Sequence, residues 1–375
     1  MTETTTRYRN TITQAVYKKL LKPLFFRHDP EDTHDSMTAM GVHLSNYWLG
    51  RALTNAMFNY RNPMLEQELC GISFINPIGL SAGFDKNAEL TDILPDIGFG
   101  FAEVGSITGE KCVGNPKPRL WRLKESEGLV VYYGLKNDGC EAIAQRLQGK
   151  HFSIPIGMSV AMTNCLANAD IDLAIHDYAK AFRTMEPFAS YITVNISCPN
   201  TAGGQPFIVP ENLERLFVVL DTIPTTKPIF IKLSPDFSMM QLDTILAVLA
   251  VHRVHGIVCT NLTKKRDNPH ILDTNISEKG GLSGKVVKEL SDDMLAYVYK
   301  KAGKRFLLIG SGGVFSAEDA YKKIRLGASL IQMITGMIFE GPQIISQINQ
   351  GLVELLKRDG FATIKDAVGV DAIKN

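Results

Sequence analysis

Two asparagines and a cysteine stand together where a β-branched run ends in the segment TVNISCPNTAGG. They are Asn195, Cys198 and Asn200. A turn needs one Asn or Gly at such a place, but it does not need two amides around a thiol. A third asparagine, Asn261, follows another apolar run, HGIVCTN. Because amides both donate and accept hydrogen bonds, this group suits a planar amide or imide ring on which negative charge accumulates.

Cys198 has three interpretations. A buried core thiol is the commonest fate of a lone cysteine. A covalent nucleophile needs a histidine partner, and no histidine lies in a motif nearby. The third interpretation is a base that removes a proton from carbon. A thiol, with a reference pKa of about 8.5, can do this where its surroundings favour the thiolate.

Two glycine-bearing segments, IGSGGV (309–314) and ITGMIFEGP (334–342), follow successive apolar runs and precede helical patterns. Backbone N–H groups of such turns favour a phosphate, although glycines also simply end strands. One phosphate suits a mononucleotide such as FMN. A dinucleotide fingerprint GxGxxG with a downstream acidic residue is missing from the sequence, which disfavours NAD.

Lys86 and Lys232 end or follow apolar runs, and buried lysines are rare without a partner. A cation beside the pyrimidine edge of a flavin stabilises the anionic reduced ring. The alternative is a lysine whose charged end reaches the rim of the fold. The segment GGLSG (280–284) offers a close backbone approach, either to a cofactor ring or only as a turn.

The sequence predicts an α/β fold, a (β/α)₈ TIM barrel. Eight apolar runs alternate with amphipathic stretches, and the runs are nearly continuous, as in parallel strands buried on both faces. The runs are PIGLSAG, FAEVGS, IPIGMSV, YITVNIS, PIFIKLS, HGIVCTN, FLLIGSGG and SLIQMITG. The helical stretches are 171–186, 210–221, 238–252, 286–302 and 317–326.

Polar residues collect at the carboxyl ends of these runs, where a TIM barrel carries its chemistry. They are Ser81, Lys86, Ser106, Asn195, Cys198, Lys232, Thr260 and Asn261. This clustering favours an enzyme. The segment RLWRLKESEGLVVYYG predicts an inserted β-hairpin near the barrel mouth.

Residues 1–60 form a predicted N-terminal helical element, and residues 61–375 the barrel domain. Asp29 can cap a helix whose first turn holds Pro30. One interpretation is a helical pair packed on the barrel. The other is a membrane-surface element, because AVYKKLLKPLFF combines lysines with a Leu/Phe face.

Composition narrows the class of protein. Forty basic and 39 acidic residues leave a formal net charge of +1, which disfavours nucleic-acid binding. Six cysteines without CxxC spacing predict reduced thiols in an intracellular compartment, with neither a disulfide framework nor a metal site. No apolar run reaches the roughly 18 residues of a membrane-spanning helix.

The chain resembles dihydroorotate dehydrogenase at LSAGFDKNAEL, NISCPNT and GSGGVFSAEDAYKKIRLGASLIQMITGMIFEGP. HDPEDTH, GNPKPRLWRL, KLSPD and EKGGLSGK extend the resemblance to the class 2, quinone-linked branch. It implies a TIM barrel that binds FMN, removes a C5 proton from dihydroorotate and transfers hydride from C6 to flavin N5. It also implies electron transfer to a membrane quinone beside N-terminal helices, in pyrimidine biosynthesis.

The resemblance also implies roles. Cys198 falls at the base position. The implied substrate contacts are Lys86, Asn195, Asn200 and Asn261. The implied FMN contacts are Ala82, Gly83, Lys86, Ser106, Asn195, Lys232, Thr260, Gly281, Gly284, Gly312, Gly313, Thr335 and Gly336.

Several positions depart from the family pattern. Class 2 members usually have serine where this chain has Cys198, and cysteine is typical of the soluble class 1 enzymes. Val131 replaces a substrate-binding asparagine, Leu262 a Thr or Ser, and Ser159 a flavin-contacting asparagine. The arginine usual after SPNTPG is absent from CPNTAGGQ. Loss of a buried amide costs on the order of 1–3 kcal/mol.

Three functions therefore compete. The first is class 2 dihydroorotate oxidation, and the second is FMN-dependent oxidation of a less polar dihydropyrimidine such as dihydrouracil. The third is a catalytically silent FMN- or membrane-binding relative. The acceptor is a quinone or, as Cys198 suggests, a soluble molecule such as fumarate. The expected location is the cytoplasmic face of the inner membrane, or the cytoplasm if the N-terminal helices do not bind lipid.

Overall fold

A computed structural model describes residues 3–201, 204–303 and 305–372. Its thirteen strands in the described part of the chain are numbered in chain order. They are β1 Gln67–Leu69, β2 Ile72–Phe74, β3 Ile78–Leu80, β4 Phe101–Ile107, β5 Leu120–Leu123, β6 Gly128–Val131, β7 Ile156–Val160, β8 Tyr191–Asn195, β9 Ile229–Leu233, β10 Gly256–Cys259, β11 Gly281–Gly284, β12 Leu307–Ser311 and β13 Leu330–Met333.

Eight of the strands close into a barrel in the order β10-β12-β13-β3-β4-β7-β8-β9. All eight neighbouring pairs are parallel. These strands fall in the eight apolar runs of the sequence, so the predicted TIM barrel is confirmed. The runs are continuous because each strand is buried both against the barrel interior and against an outer helix.

The α-helices of the described residues are also numbered in chain order. They are α1 Glu3–Val16, α2 Lys22–Phe25, α3 Pro30–Ser45, α4 Trp48–Phe58, α5 Leu94–Ile97, α6 Cys140–Leu147, α7 Ile171–Met185, α8 Pro210–Asp221, α9 Met239–Ala250, α10 Lys288–Ala302, α11 Ala317–Arg325, α12 Thr335–Glu340 and α13 Ile344–Asp359. Helices α7 to α11 lie in the five predicted stretches. Helix α13, which buries an apolar stripe with Ile344, Ile348 and Leu352, follows the segment 334–342, after which a helix was predicted without bounds.

The predicted hairpin is present as β5 and β6, which pair antiparallel from Leu120↔Val131 to Leu123↔Gly128. Strand β11 adds to β6 and makes a three-stranded sheet. The chain reaches β11 from the carboxyl end of β10, so this small sheet lies beside the barrel mouth.

The opposite end of the barrel is closed by aromatic side chains. Phe101, Tyr191 and Phe230 point inward from β4, β8 and β9 and are inaccessible to solvent. Phe74 packs edge-on against Phe101, with ring centroids 5.5 Å apart. Because this floor is sealed, a ligand can reach the interior only from the carboxyl ends of the strands.

The N-terminal element comprises α1 to α4 with a π-helical turn at Tyr17–Leu21. Asp29 caps α3 by accepting from the N–H groups of Glu31 and Asp32, as its sequence position predicted. Buried Glu31 pairs with Arg119, the residue before β5, at 2.8 Å, which connects α3 to the hairpin. No helix of the described residues has the length and apolar character needed to cross a bilayer. The boundary at residue 60 stays a prediction, and residues 1, 2 and 373–375 lie outside the described part.

A fully buried lysine stands behind β10 and β12. Lys323 of α11 donates to Asp292 Oδ1 at 2.7 Å and to Ser291 Oγ at 2.9 Å. Ser291 in turn donates to the carbonyl of Ser311 at 2.7 Å, at the end of β12. The ion pair therefore connects α10 and α11 to the strand end that begins the glycine turn.

We expect Asp292→Ala to lower the free energy of unfolding by about 3–5 kcal/mol, because it removes the carboxylate that is hydrogen-bonded to the buried Lys323 ammonium. Chemical denaturation followed by circular dichroism measures the change. Asp293→Ala is the matched control, since Asp293 is exposed on the same helix and its loss should cost less than about 0.5 kcal/mol. Equal effects of the two substitutions would contradict this role for the ion pair.

Candidate active site

A cavity opens at the carboxyl ends of the barrel strands, beneath the small sheet. It brings together residues that lie far apart in sequence and that sequence reasoning had selected. They are Ala82, Gly83, Lys86, Ser106, Asn195, Cys198, Asn200, Lys232, Thr260, Asn261, Gly284, Gly312, Gly313, Thr335 and Gly336. The geometry therefore places fifteen of the sixteen predicted site residues around one space; their roles stay predictions.

Gly281 is the exception, because it does not line the cavity. A Cβ built on Gly281 would lie 2.6 Å from Leu262 Cβ and 3.1 Å from Pro199 Cγ. The glycine thus lets β11 pack closely on the loops that follow β8 and β10. Its placement indicates a contribution to the shape of the wall.

The amide cluster at the ends of β8 and β10 is held by internal hydrogen bonds. Asn195 Nδ2 donates to Ser106 Oγ at 2.8 Å, and Ser106 Oγ lies 2.8 Å from Ser159 Oγ. Asn261 Nδ2 donates to the carbonyl of Ser197 at 3.0 Å and to Asn195 Oδ1 at 3.2 Å. Ser159, which departs from the family pattern, therefore does not line the cavity itself. It lies behind Ser106 and orients the Ser106 hydroxyl.

Asn200 has a free acceptor. Its Nδ2 donates to the backbone carbonyl of Val131 at 2.8 Å, which couples the β8 loop to the hairpin. Its Oδ1 is buried and meets no donor in the described residues. Because buried polar atoms are nearly always satisfied, this oxygen indicates a ligand that donates a hydrogen bond here.

Cys198 lies in the cavity wall beside Asn200, so the core-thiol interpretation does not hold. Burial raises the pKa of this thiol to about 11, while the Asn200 N–H and the charges of Lys264 and Lys232 lower it only partly. The surroundings therefore favour the thiol over the thiolate. A base at this position needs further positive charge or hydrogen bonding from a ligand.

The two predicted lysines differ in environment. Lys86 Nζ lies 4.2 Å from the centre of the Tyr133 ring, and burial lowers the pKa of this ammonium to about 8. Lys232 is buried on β9 and donates to Ser81 Oγ at 3.1 Å. Burial also lowers the pKa of Lys232, against the opposing charge of Glu103.

The glycine turns after β12 and β13 touch each other. Gly312 and Gly313 have φ angles of 117° and 71°, which side chains rarely adopt. A Cβ on Gly336 would lie 2.1 Å from the carbonyl oxygen of Val314, so this close approach requires glycine. Thr335 Oγ1 lies 2.9 Å from Ser283 Oγ of β11. The turns thus form one narrow, backbone-lined end of the cavity.

Sequence reasoning missed several lining residues. His34 reaches the cavity from α3, where its Nε2 donates to the carbonyl of Phe84 at 2.9 Å, and burial lowers the pKa of this imidazole to about 4. Gln332 of β13 also lines the cavity, beside Ser81, which its position at the end of an apolar run had indicated. A polar residue inside an apolar strand was a usable signal for Gln332, whereas nothing in the sequence indicated that α3 would reach the mouth.

The positions that depart from the family pattern give one wall an apolar character. Val131 and Leu262 both line the cavity, and the backbone carbonyl of Val131 accepts from Asn200 Nδ2. Leu120 and Leu129 of the hairpin extend the same surface. The cavity therefore has an apolar wall opposite the polar side chains at the strand ends.

Comparison with known proteins gives a consistent family. The family model described as dihydroorotate dehydrogenase matches residues 64–356. Dihydroorotate dehydrogenase (quinone) of Gloeobacter violaceus is 36% identical over 353 residues, which are 94% of this chain and 98% of that protein. The protein of the same name from Natronomonas pharaonis is 37% identical over 359 residues, which are 94% and 99% of the two chains.

Solved structures similar to this chain belong to the same family. The crystal structure of DHODH from Eimeria tenella in complex with ferulenol has a TM-score of 0.82 and 27% sequence identity, and covers 92% of this chain and 96% of that chain. The ligand-free form has a TM-score of 0.80 and 29% identity, over 92% and 99% of the two chains.

We expect Cys198 to alkylate slowly near neutral pH, because a pKa of about 11 leaves about one thiol in a thousand ionised at pH 8. Since the pKa is raised, the rate should climb as pH rises towards 11. Peptide mapping after timed iodoacetamide treatment of the apoprotein measures it. Exposed Cys165 is the internal control. Alkylation of Cys198 at the rate of Cys165 at pH 8 would contradict the raised pKa.

Proposed function

Since this chain belongs to the dihydroorotate dehydrogenase family, we propose that its cavity oxidises dihydroorotate to orotate with bound FMN, and that a quinone accepts the electrons. The reaction is a step of pyrimidine biosynthesis. The observation that carries the proposal is the convergence of a thiol, three amides, two lysines and the paired glycine turns on one cavity.

The residues present fit FMN. The narrow end formed by Gly312, Gly313 and Gly336 leaves backbone close to the space, as a phosphate site requires. Ser106 and Thr260 border the middle of the cavity, and Lys232 stands beneath it. When bound, FMN supplies a hydride acceptor. Lys232 would then place positive charge beside the ring, where reduction adds negative charge.

Cys198 is the proposed base for the C5 proton of the substrate. Its thiol must first lose its own proton, which the free site opposes by raising the pKa to about 11. The cations Lys232 and Lys264 act in the other direction. Exclusion of water by the bound ring strengthens the attraction of the thiolate to these cations, and it also disfavours the charged thiolate further. The base can therefore act only where the cations and hydrogen bonds around the thiolate outweigh its burial.

Lys86 and the asparagines are the proposed substrate contacts. Lys86 offers a cation to an anionic substrate, and the free Asn200 Oδ1 offers an acceptor to a ring N–H. Asn195 and Asn261 hold fixed orientations through Ser106 and Ser197. Val131 offers only its side-chain methyls to the space, since its carbonyl is taken by Asn200.

We also propose that the N-terminal element binds a membrane surface, from which the quinone arrives. Helix α1 buries the polar residues Thr6 and Asn10 against the protein and exposes its large apolar residues among polar ones. Buried Asn10 donates to Ser346 Oγ of α13 at 3.1 Å, whereas Ile12 is 60% exposed. Twelve of the 21 exposed large apolar residues in the described chain lie between residues 8 and 57, which is far more than the length of this segment would give. They are Tyr8, Ile12, Val16, Leu20, Leu21, Leu24, Met40, Tyr47, Trp48, Leu49, Leu53 and Met57.

Lysines near this apolar surface suit anionic lipid headgroups. Lys19 stands in the same turn as Leu20 and Leu21, in the order expected of an interfacial helix. Trp48, 80% exposed, begins α4 and is the kind of side chain that settles at a membrane interface. The proposed location is therefore peripheral, at the cytoplasmic face of the inner membrane.

The function predicts that dihydroorotate bleaches the 450 nm region of FMN-loaded protein under anaerobic conditions, at least tenfold faster than dihydrouracil. Cys198→Ala should lower the reduction rate by about 10²–10⁴-fold, the usual contribution of a positioned base, and Cys198→Ser should keep part of it. Stopped-flow absorbance measures the rates. Cys259→Ala, which removes a buried thiol outside the cavity, is the matched control.

The other outcomes assign the site differently. Faster reduction by dihydrouracil would favour a substrate without the carboxylate, consistent with apolar Val131 and Leu262. Indifference to both Cys198 substitutions, together with no bleaching by either substrate, would favour a catalytically silent relative. Reoxidation by fumarate but not by a short-chain quinone would overturn the quinone assignment.

The membrane proposal predicts that Leu20→Asp combined with Trp48→Asp lowers binding to vesicles of anionic phospholipid by at least tenfold, since both exposed apolar side chains become charged. Vesicle co-sedimentation measures binding. Leu166→Asp combined with Val251→Asp is the matched control, because these residues are 84% and 76% exposed on the barrel. Flavin reduction by dihydroorotate should stay unchanged in both variants. Equal binding of the two double variants would contradict a lipid-facing N-terminal element.

A further inference from the structure

The barrel interior holds a buried carboxylate that the proposed chemistry does not use. Glu103, on β4, is inaccessible to solvent. Its Oε2 accepts from Thr193 Oγ1 at 2.8 Å and from Gln332 Nε2 at 2.9 Å. Its Oε1 has no hydrogen-bond partner among the described residues. Burial of a carboxylate is unfavourable unless neighbouring positive charge offsets it.

A chain of hydrogen bonds leads from this carboxylate to the cavity. Gln332 Nε2 faces Glu103, so its Oε1 faces Ser81 and accepts from Ser81 Oγ at 3.3 Å. Ser81 Oγ in turn accepts from Lys232 Nζ at 3.1 Å. Ser81, Gln332 and Lys232 all line the cavity, whereas Glu103 lies below them.

The chain has a single consistent direction. An ionised carboxylate only accepts hydrogen bonds, and an ammonium group only donates them. Glu103 therefore fixes which way the Gln332 amide points, and Lys232 fixes which way the Ser81 hydroxyl points. A neutral amide in place of Glu103 would both donate and accept, and the direction would be lost.

The charges around Lys232 leave Glu103 as its main counter-ion. Lys232 lies on β9, between β8 and β10. Burial lowers its pKa, the charge of Glu103 on β4 opposes this, and the Cys198 thiolate following β8 acts in the same direction as Glu103. Cys198 is protonated at neutral pH, because its own pKa is raised to about 11. Below the chain lie the rings of Phe101, Tyr191 and Phe230, and the Tyr191 hydroxyl faces Glu103 and Gln332, with its pKa raised by burial and by the Glu103 charge.

We propose that Glu103 is a positioning residue that acts through Gln332 and Ser81 to hold Lys232 as an oriented ammonium group beneath the cofactor. Glu103 thereby sets how readily bound FMN accepts electrons. This inference rests on the proposed function, since it assumes that FMN occupies the cavity above Lys232.

The test uses full-length Glu103→Gln loaded with FMN. Loss of the Glu103 charge lowers the pKa of Lys232 further, so at alkaline pH, where Lys232 of the variant has lost its proton, the midpoint potential of bound FMN should be more negative than in the wild type. The alkaline limb of the flavin reduction rate should move to lower pH by about one unit or more. Spectroelectrochemistry measures the potential, and anaerobic stopped-flow absorbance gives the pH profile.

Two further variants separate this role from a merely structural one. Thr193→Val removes a buried hydrogen bond to Glu103 but keeps the carboxylate, so it should lower thermal stability and leave the potential and the pH profile unchanged. Lys232→Met should abolish the effect of Glu103→Gln on the potential, because the two residues act in one chain. If Glu103→Gln does not fold, Ser81→Ala breaks the chain and should shift the potential in the same direction.

The outcomes distinguish the two proposals. Wild-type protein that does not bind FMN would overturn the proposed function. Wild-type protein that binds FMN and is reduced by dihydroorotate, with the same potential and pH profile in Glu103→Gln, would overturn only the role of Glu103. An equal shift by Glu103→Gln with and without Lys232 would show that the carboxylate acts independently of the lysine, which also contradicts the inference.

Discussion

Closure of the parallel barrel is the constraint on which the rest of the structure depends. Each strand pairs with two neighbours, so the carboxyl ends of all eight strands meet around one opening. Residues 86, 198, 232, 261 and 312 then become neighbours although the chain separates them by up to 226 positions (312 − 86). The aromatic floor makes the opening one-sided, and the small sheet of β5, β6 and β11 covers it.

Exclusion of water from the cavity determines the direction in which the pKa values of its residues shift. Burial favours the neutral form of every titratable group, so it raises the pKa of Cys198 and lowers those of Lys86, Lys232 and His34. An ionised thiol and a protonated lysine can therefore be present together only where a counter-charge, a ligand or an oriented hydrogen bond stabilises the charged forms. The hydrogen-bonded chain from Glu103 to Lys232 supplies such an interaction inside the barrel. At the free Asn200 oxygen, a ligand would supply the missing hydrogen bond.

The N-terminal element differs from the barrel in where its apolar residues lie. Its contacts with the barrel include directional polar ones, as when Arg9 Nη2 donates to Ser346 Oγ at 2.7 Å and Arg119 pairs with buried Glu31. Phe26, Val42 and Leu44 pack against the barrel, but twelve of its large apolar residues face outward. Directional polar contacts fix where the helices sit without consuming the apolar surface that a lipid interface needs. His34, which α3 carries into the cavity wall, links this element to the site.

The sequence by itself determined the architecture and most of the site. Continuous apolar runs predicted the eight strands, because burial on both faces is visible in the local pattern. Polar residues at the ends of the runs identified eight positions of the cavity wall, and the family resemblance supplied the others. Only the tertiary structure decided that Gly281 packs behind the wall, that His34 reaches the mouth, and that Glu103 connects to Lys232 through Gln332 and Ser81. These facts depend on contacts between distant strands and helices, and on how far each group is removed from water, which no local pattern encodes.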